Sequence, residues 1–97
     1  MKKVEYLLCA ALWYNDDKKY EHQPNNIESG VVFCGRRHHN CFILLSLAFP
    51  DKNKKEVSQG FLTSFDRYVD RKEGAEIALK SGQIIDATNC LFSEDLY

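Results

Sequence analysis

Gly60-Phe61-Leu62-Thr63-Ser64-Phe65-Asp66-Arg67-Tyr68-Val69-Asp70-Arg71-Lys72-Glu73 is the stretch from which the fold can be read. Residues 60–63 have strand composition, Ser64-Phe65-Asp66 supply turn chemistry, and Arg67-Tyr68-Val69 form a short return strand. Asp70 with Glu73 three residues later is the capping-box signature of a helix start. The helix is expected over 71–81, burying Ala75, Ile77, Ala78 and Leu79, with Gly82 as its left-handed terminator. Gly74 inside it costs about 1 kcal/mol relative to Ala, which close packing on another backbone would justify.

Working outward from this segment, Val4 to Tyr14 is apolar and strand-compatible, and Asn15-Asp16-Asp17 turns the chain. Lys19-Tyr20-Glu21-His22 alternates enough to pair back as a hairpin. Residues 23–30, with Pro24 and Gly30, read as a loop into a short strand at 31–34 that Gly35 ends. Apolar positions 41, 44, 45 and 48 follow helical spacing, so a helix is expected there, stopped by Pro50. Residues 51–56 read as a solvated loop, and Gln83-Ile84-Ile85 as a last short strand. The tail at 90–97 keeps Leu91, Phe92, Leu96 and Tyr97, which a disordered end would not, so it is expected to dock on its own domain or a partner. The sum is a single α+β domain over 1–97, a small antiparallel sheet packed with two helices.

At 97 residues and 44% hydrophobic content, the chain suits one packed core, and a second copy would readily cover any apolar edge left open. Thirteen Lys plus Arg oppose 14 Asp plus Glu, so no global field exists for a nucleic acid polymer or an anionic membrane. The apolar run from Cys41 to Phe49 falls far short of the about 20 residues a membrane helix needs. The basic start Met1-Lys2-Lys3 is followed by Glu5 and by no small-residue cleavage site, so a signal peptide is not expected. The four cysteines should then stay reduced, with a cytoplasmic location.

Two segments could carry chemistry. Cys34-Gly-Arg-Arg-His-His-Asn-Cys41 holds two thiols and two imidazoles, all acceptable zinc ligands. The spacing is not that of a paired knuckle, however, and ordinary buried cysteines are the expected reading. Arg36, Arg37, His38 and His39 also stand at a strand-to-helix junction, where free backbone N–H groups and the helix dipole favour an anion. The alternative is that both arginines face water and the imidazoles satisfy backbone carbonyls. Around the second turn, Thr63, Phe65, Arg67, Tyr68 and Arg71 gather a hydroxyl, two guanidiniums and two rings, a composition able to stack a purine and hold its phosphates. Arg71 stands against the helix dipole, which points to a carboxylate or phosphate partner. The Cys-His neighbours lack a third orienting group, and there is no glycine-rich phosphate loop, His-Glu-x-x-His or serine elbow. No catalytic residue, cofactor or metal is assigned.

The motifs Gly-Arg-Arg-His-His-Asn-Cys-Phe at 35–42, Gly-Phe-Leu-Thr-Ser-x-x-Arg-Tyr-Val-Asp-Arg-Lys-Glu-x-Ala at 60–75 and Leu-Phe-Ser-Glu-Asp-Leu-Tyr at 91–97 resemble those of a family of short phage proteins. These are the anti-defence sponges typified by the first-described Thoeris anti-defence protein, which sequester cyclic ADP-ribose signals. The resemblance covers about a third of the chain. It implies a small α+β protein assembling as dimers or larger oligomers, with pockets at the protomer interface where an aromatic ring stacks on adenine and arginines clasp the pyrophosphate. Some members hold cyclic oligonucleotides at a separate site. Carried over, these roles fall to Arg36 or Arg37 with His38 and His39, and to Thr63, Arg67 and Arg71, with Phe65 or Tyr68 stacking. Gly74 departs from the Ala expected after the Lys-Glu pair, and the N-terminal half matches none of the motifs.

The function expected is that of a homo-oligomeric sponge. It would bind a small anionic nucleotide signal without cleaving it, in the cytoplasm of an infected bacterium. The alternative is a small protein–protein interaction module or inhibitor.

Overall fold

The computed structural model describes residues 4–50, 57–88 and 91–96. Strands form at Leu7–Tyr14 (β1), Val31–Gly35 (β2), Val57–Thr63 (β3) and Tyr68–Asp70 (β4). Helices form at His38–Ala48 (α1) and Arg71–Ser81 (α2), and a 3₁₀ turn at Ser93–Asp95. The sheet order is β2-β1-β3-β4 and every pairing is antiparallel. This is the α+β arrangement expected, an antiparallel sheet packed with two helices.

Strand alternation decides which side the helices cover, because successive side chains point to opposite faces. Ala10 pairs with Phe61, and Phe61 with Val69, so these three share one face. On it, α1 brings Cys41 and Leu45 onto Ala10, Leu12 and Tyr14, with Phe33 and Phe49 at the margin. Beside it, α2 brings Ala75, Ile77 and Ala78 onto Leu7, Phe61 and Val69. Leu91 of the C-terminal segment enters this second cluster fully buried, so the tail docks on its own chain. Gly74 lies over Phe61, where an added Cβ would sit 2.9 Å from the ring. The close packing expected there is against a side chain rather than another backbone.

The α2 cap takes half of its expected form. Asp70 Oδ1 accepts from the N–H of Glu73 at 2.8 Å, but the Glu73 carboxylate turns to Arg67 instead of back to the cap. Gly82 ends the helix at φ 81, a left-handed conformation that glycine adopts without steric cost.

Four expectations are corrected. Lys19–His22 does not pair back; β1 takes Val31–Gly35 as its partner. The intervening chain is spent in turns: Asn15 and Asp16 side chains accept from the N–H groups of Asp17 and Lys18, and Asp17 and His22 adopt positive φ. Such local side-chain bonds compete with a ladder. Gln83–Ile85 is not a strand either; the Gln83 side-chain amide does the pairing, accepting from Leu7 N–H and donating to Leu7 O, both at 2.8 Å. The buried face of α1 is His38, Cys41 and Leu45, while Leu44 and Ala48 are exposed. Leu79 is likewise exposed. The solvated loop expected at 51–56 lies outside the described residues.

The loop between β1 and β2 reaches both edges of the sheet. Gln23 Oε1 accepts from Val32 N–H of β2 at 2.8 Å. Asn26 accepts from Tyr68 N–H of β4 and donates to Tyr68 O, at 2.8 and 2.6 Å. Side-chain amides thus satisfy edge groups that would otherwise invite another strand.

Gly60 is the tightest point of the sheet. A Cβ there would lie 1.9 Å from Val69 O and 2.8 Å from the Tyr68 hydroxyl, and the first of these is backbone that cannot yield without breaking the β3–β4 ladder. Gly60→Ala is therefore expected to destabilise the fold by about 3 kcal/mol or more. Urea unfolding followed by circular dichroism checks it; a loss under about 1 kcal/mol would refute this reading of the contact.

Candidate functional site

The second motif is built mainly inward. Thr63 is fully buried; its hydroxyl donates to Glu5 Oε2 at 2.6 Å and accepts from Phe65 N–H at 3.2 Å. Arg67 grips Glu5 with a fork, Nε to Oε2 and Nη2 to Oε1, both at 2.8 Å, and Nη2 also reaches Glu73 at 3.1 Å. The Arg67 bond holds the Glu5 carboxyl below its ordinary value, the Thr63 hydroxyl adds to this, and partial burial opposes it. The same contact pushes the Arg67 guanidinium up. Glu5, a lone carboxylate in an apolar strand segment, is the partner that the sequence reading missed. An isolated acid beside a strand, with an arginine on the facing hairpin, was the available signal.

Arg71 has the partner that its place at a helix start called for, but it is neither carboxylate nor phosphate. Nη1 donates to Leu91 O at 2.6 Å and Nη2 to Gln59 Oε1 at 2.7 Å. The guanidinium lies 4.7 Å from the centre of the Phe92 ring. Arg71 thus clamps the C-terminal segment to β3. Tyr68 is buried on the sheet face opposite the helices, its hydroxyl 2.7 Å from Ser58 Oγ and its ring 6.0 Å from that of Trp13. Burial pushes its phenol up to about 12.

In the first motif, Arg37 is the N-cap residue of α1 and its N–H donates to Asn40 Oδ1 at 3.1 Å. His38 is buried, with Nε2 donating to Gly60 O at 2.7 Å and its ring edge-on to Phe61. Burial lowers the His38 pKa; the Gly60 bond pulls it back up, nearby Arg71 adds to the lowering and Glu94 opposes it. The imidazole is the neutral Nε2–H tautomer. Arg36 and His39 are exposed. Cys41 is buried, its thiol turned to the carbonyls of Ala10 and Arg37, whereas Cys34 is exposed. The four zinc-type side chains of this segment therefore point to different surroundings. Among the described residues, no group of three or more His, Cys, Asp or Glu is placed to hold a metal.

The two motifs meet at His38 and Arg71, which are close enough to interact electrostatically. Arg67 and Phe65 lie elsewhere, at the β3–β4 turn. Phe65 is the one predicted ring that faces solvent, at 43% exposure. With Val4, Tyr6 and Ser64 it lines a recess of about 450 Å³. Ser64 fixes its floor by pairing with Tyr6: the Tyr6 N–H donates to Ser64 Oγ at 2.9 Å and the Ser64 N–H to Tyr6 O at 2.8 Å. A second concavity of about 390 Å³ at 83–88, with Leu91 and Asp95, has no cationic wall and two carboxylates. A third, about 250 Å³, carries Glu5, Glu73 and Glu76 against Arg67 and Lys80, which disfavours an anion. Of these, the aromatic recess suits a flat ring best.

The fold is thus an α+β chain with an aromatic recess at the β3–β4 turn, its Arg67 and Arg71 side chains drawn into internal bonds. Over residues 6–97 it matches the family model described as phage T4 y16D protein, and it belongs to that family. It is thus a phage protein, as the motif resemblance implied. No curated protein matches the chain, and no solved structure does. None of the described helices is long and apolar enough to cross a membrane.

The Glu5 side chain is 15% exposed and Arg67 36%, so solvent screens part of their attraction. Glu5→Gln is expected to cost about 1 kcal/mol at neutral pH. The folded pKa of Glu5 is depressed, so its contribution is complete above the ordinary value of 4.5 and lost as pH falls through the folded value. Stability curves of the two proteins should therefore converge in acid; a gap unchanged from pH 7 to pH 3 would show that Glu5 acts by packing alone.

Proposed function

We propose that this phage protein is a non-catalytic sponge that holds a cyclic nucleotide signal, of the cyclic ADP-ribose class used by Thoeris-type defence, with the base seated between Phe65 and Tyr6. The observation that carries this reading is the recess itself. Two exposed aromatic rings and a hydroxyl-bearing turn bound a space within the roughly 300–1,000 Å³ typical of small-molecule sites. Stacking on an aromatic ring contributes about 1–3 kcal/mol per base. The resemblance of the three motifs to those of the anti-defence sponges supports the same reading, since the second of them shapes this turn.

A second copy of the chain could add to the walls of the recess. The outer face of α1 supports assembly. Ile43, Leu44 and Leu47 are 47%, 43% and 76% exposed and follow helical i, i+1, i+4 spacing. Across His38–Ala48 there is no Asp, Glu, Lys or Arg. A charge-free stripe meets its own copy about a two-fold axis without like-charge repulsion. The same face would serve the second reading, an interaction module for another protein, if the chain alone is monomeric.

Incubation with candidate cyclic nucleotides, followed by heat denaturation, should release the ligand chemically intact. Phe65→Ala is expected to weaken binding by roughly 5- to 150-fold, the range a lost stacking contact spans. Hydrolysed product, or wild-type affinity in Phe65→Ala, would sink the sponge assignment or its seat. Separately, sedimentation should show an oligomer that Leu47→Asp converts to monomer; an oligomer indifferent to that change would move the interface off α1.

A further inference from the structure

The β1–β2 register carries a pair of thiols that neither the ligand reading nor the fold requires. Ala11 pairs with Cys34 and Ala10 with Gly35, so Cys9 lies one diagonal step from Cys34 on adjacent strands, on the face opposite the helices. Their side chains are near enough for each to act on the other's ionisation. This end of the strand pair is the one away from the loop that joins them. Cys34 is exposed and Cys9 half-buried, whereas Cys41 of α1 is buried. We propose that Cys9 and Cys34 form a reactive dithiol, a modification site for soft electrophiles and above all for low-molecular-weight disulfides, which oxidise it to a cross-strand disulfide.

The chemistry divides between the two residues. Cys9 Sγ, as thiolate, attacks one sulfur of the oxidant disulfide; its S–S bond breaks and one thiolate leaves, giving a mixed disulfide on Cys9. Cys34 then loses its proton to solvent and attacks Cys9 Sγ, expelling the second thiolate. Two protein thiols are oxidised and one small disulfide is reduced to two thiols. The groups acting on the attacking sulfur are few: the adjoining Cys34 thiol pulls the Cys9 thiol down to about 7 against partial burial. Cys34 is pushed up in return, chiefly by its interaction with Cys9. Cys41 itself is raised to about 11, mainly by burial. One proton is thus held on Cys34 while Cys9 is poised as nucleophile, a division of labour between attacking and resolving thiols. The site lies directly before Arg36 and Arg37, so oxidation would tie β1 to β2 beneath the segment that leads into α1.

The reduced full-length protein, incubated with glutathione disulfide and mapped by non-reducing peptide mass spectrometry, should yield one intramolecular bond joining Cys9 to Cys34. Phenylarsine oxide, which bridges neighbouring thiols, should bind at one equivalent per chain. Cys34→Ser, at an exposed position, is expected to stop at the glutathione adduct on Cys9. Cys9→Ser should slow the first attack and abolish the intramolecular bond. The wild-type map decides the matter even if either variant folds poorly. A bond that joins Cys41 or Cys90 instead, or four thiols that alkylate independently and form no bond, would overturn the proposal.

Discussion

The architecture depends on a stretch of bare backbone at Gly60, where three layers close on one peptide unit. From the helix side, His38 reaches down to donate to its carbonyl; from the opposite side, Tyr68 lies against its α-carbon. In the plane of the sheet, β1 and β4 pair on either side of it. No residue with a Cβ can occupy this position without displacing the Val69 carbonyl. The neighbouring Phe61 then meets His38 and lies under Gly74 of α2. Both helices are thereby referenced to the same two residues of β3, and the buried imidazole stays neutral because burial dominates its surroundings.

From this constraint follows the fate of the polar residues in the motif at 60–75. With short strands and a small core, the chain satisfies its exposed backbone with side chains. Gln83 completes Leu7, Asn26 completes Tyr68, and Gln23 completes Val32. Arg71 in turn ties the Leu91 carbonyl to Gln59. Buried polar groups left unpaired would each cost about 1–3 kcal/mol, comparable to a large part of the stability of a domain this size. Thr63, Arg67, Tyr68, Asp70 and Arg71 are accordingly engaged in hydrogen bonds within the chain, and Phe65, at the turn, is the motif's aromatic ring that faces outward.

This explains how far the sequence could be read. The β3–β4 hairpin and α2 were legible because local chemistry and global packing agree there: turn residues, Asp70 as cap and Gly82 as terminator all specify one outcome. The surroundings of the site were less legible. A guanidinium beside hydroxyls and rings looks the same whether its counterion is a ligand phosphate or a carboxylate 62 positions away, as with Glu5 and Arg67. Lys19–His22 carried enough alternation for a strand, but the Asn15 and Asp16 side chains had a nearer use for the backbone. Gln83 could not be recognised as a surrogate strand, since its partner is 76 residues distant. The α1 face was misplaced because that helix is apolar on more than one side, and periodicity cannot choose between two apolar stripes.

That ambiguity is itself physical information. α2 presents Lys72, Glu73, Glu76 and Lys80 to solvent, the charged exterior of a helix whose other side is covered. α1 lies on the same sheet face, yet shows Ile43, Leu44 and Leu47 with no Asp, Glu, Lys or Arg along its length. Helices on one sheet face with such different exteriors differ in what water costs them: hydration suits the first, while the second would gain about 25 cal/mol per Å² of apolar surface withdrawn from water. Arg67 is already paired with Glu5 and Glu73, so its charge is spent within the chain. On the reading proposed above, recognition would rest on short-range contacts, a ring at the β3–β4 turn for the ligand and the apolar stripe of α1 for assembly.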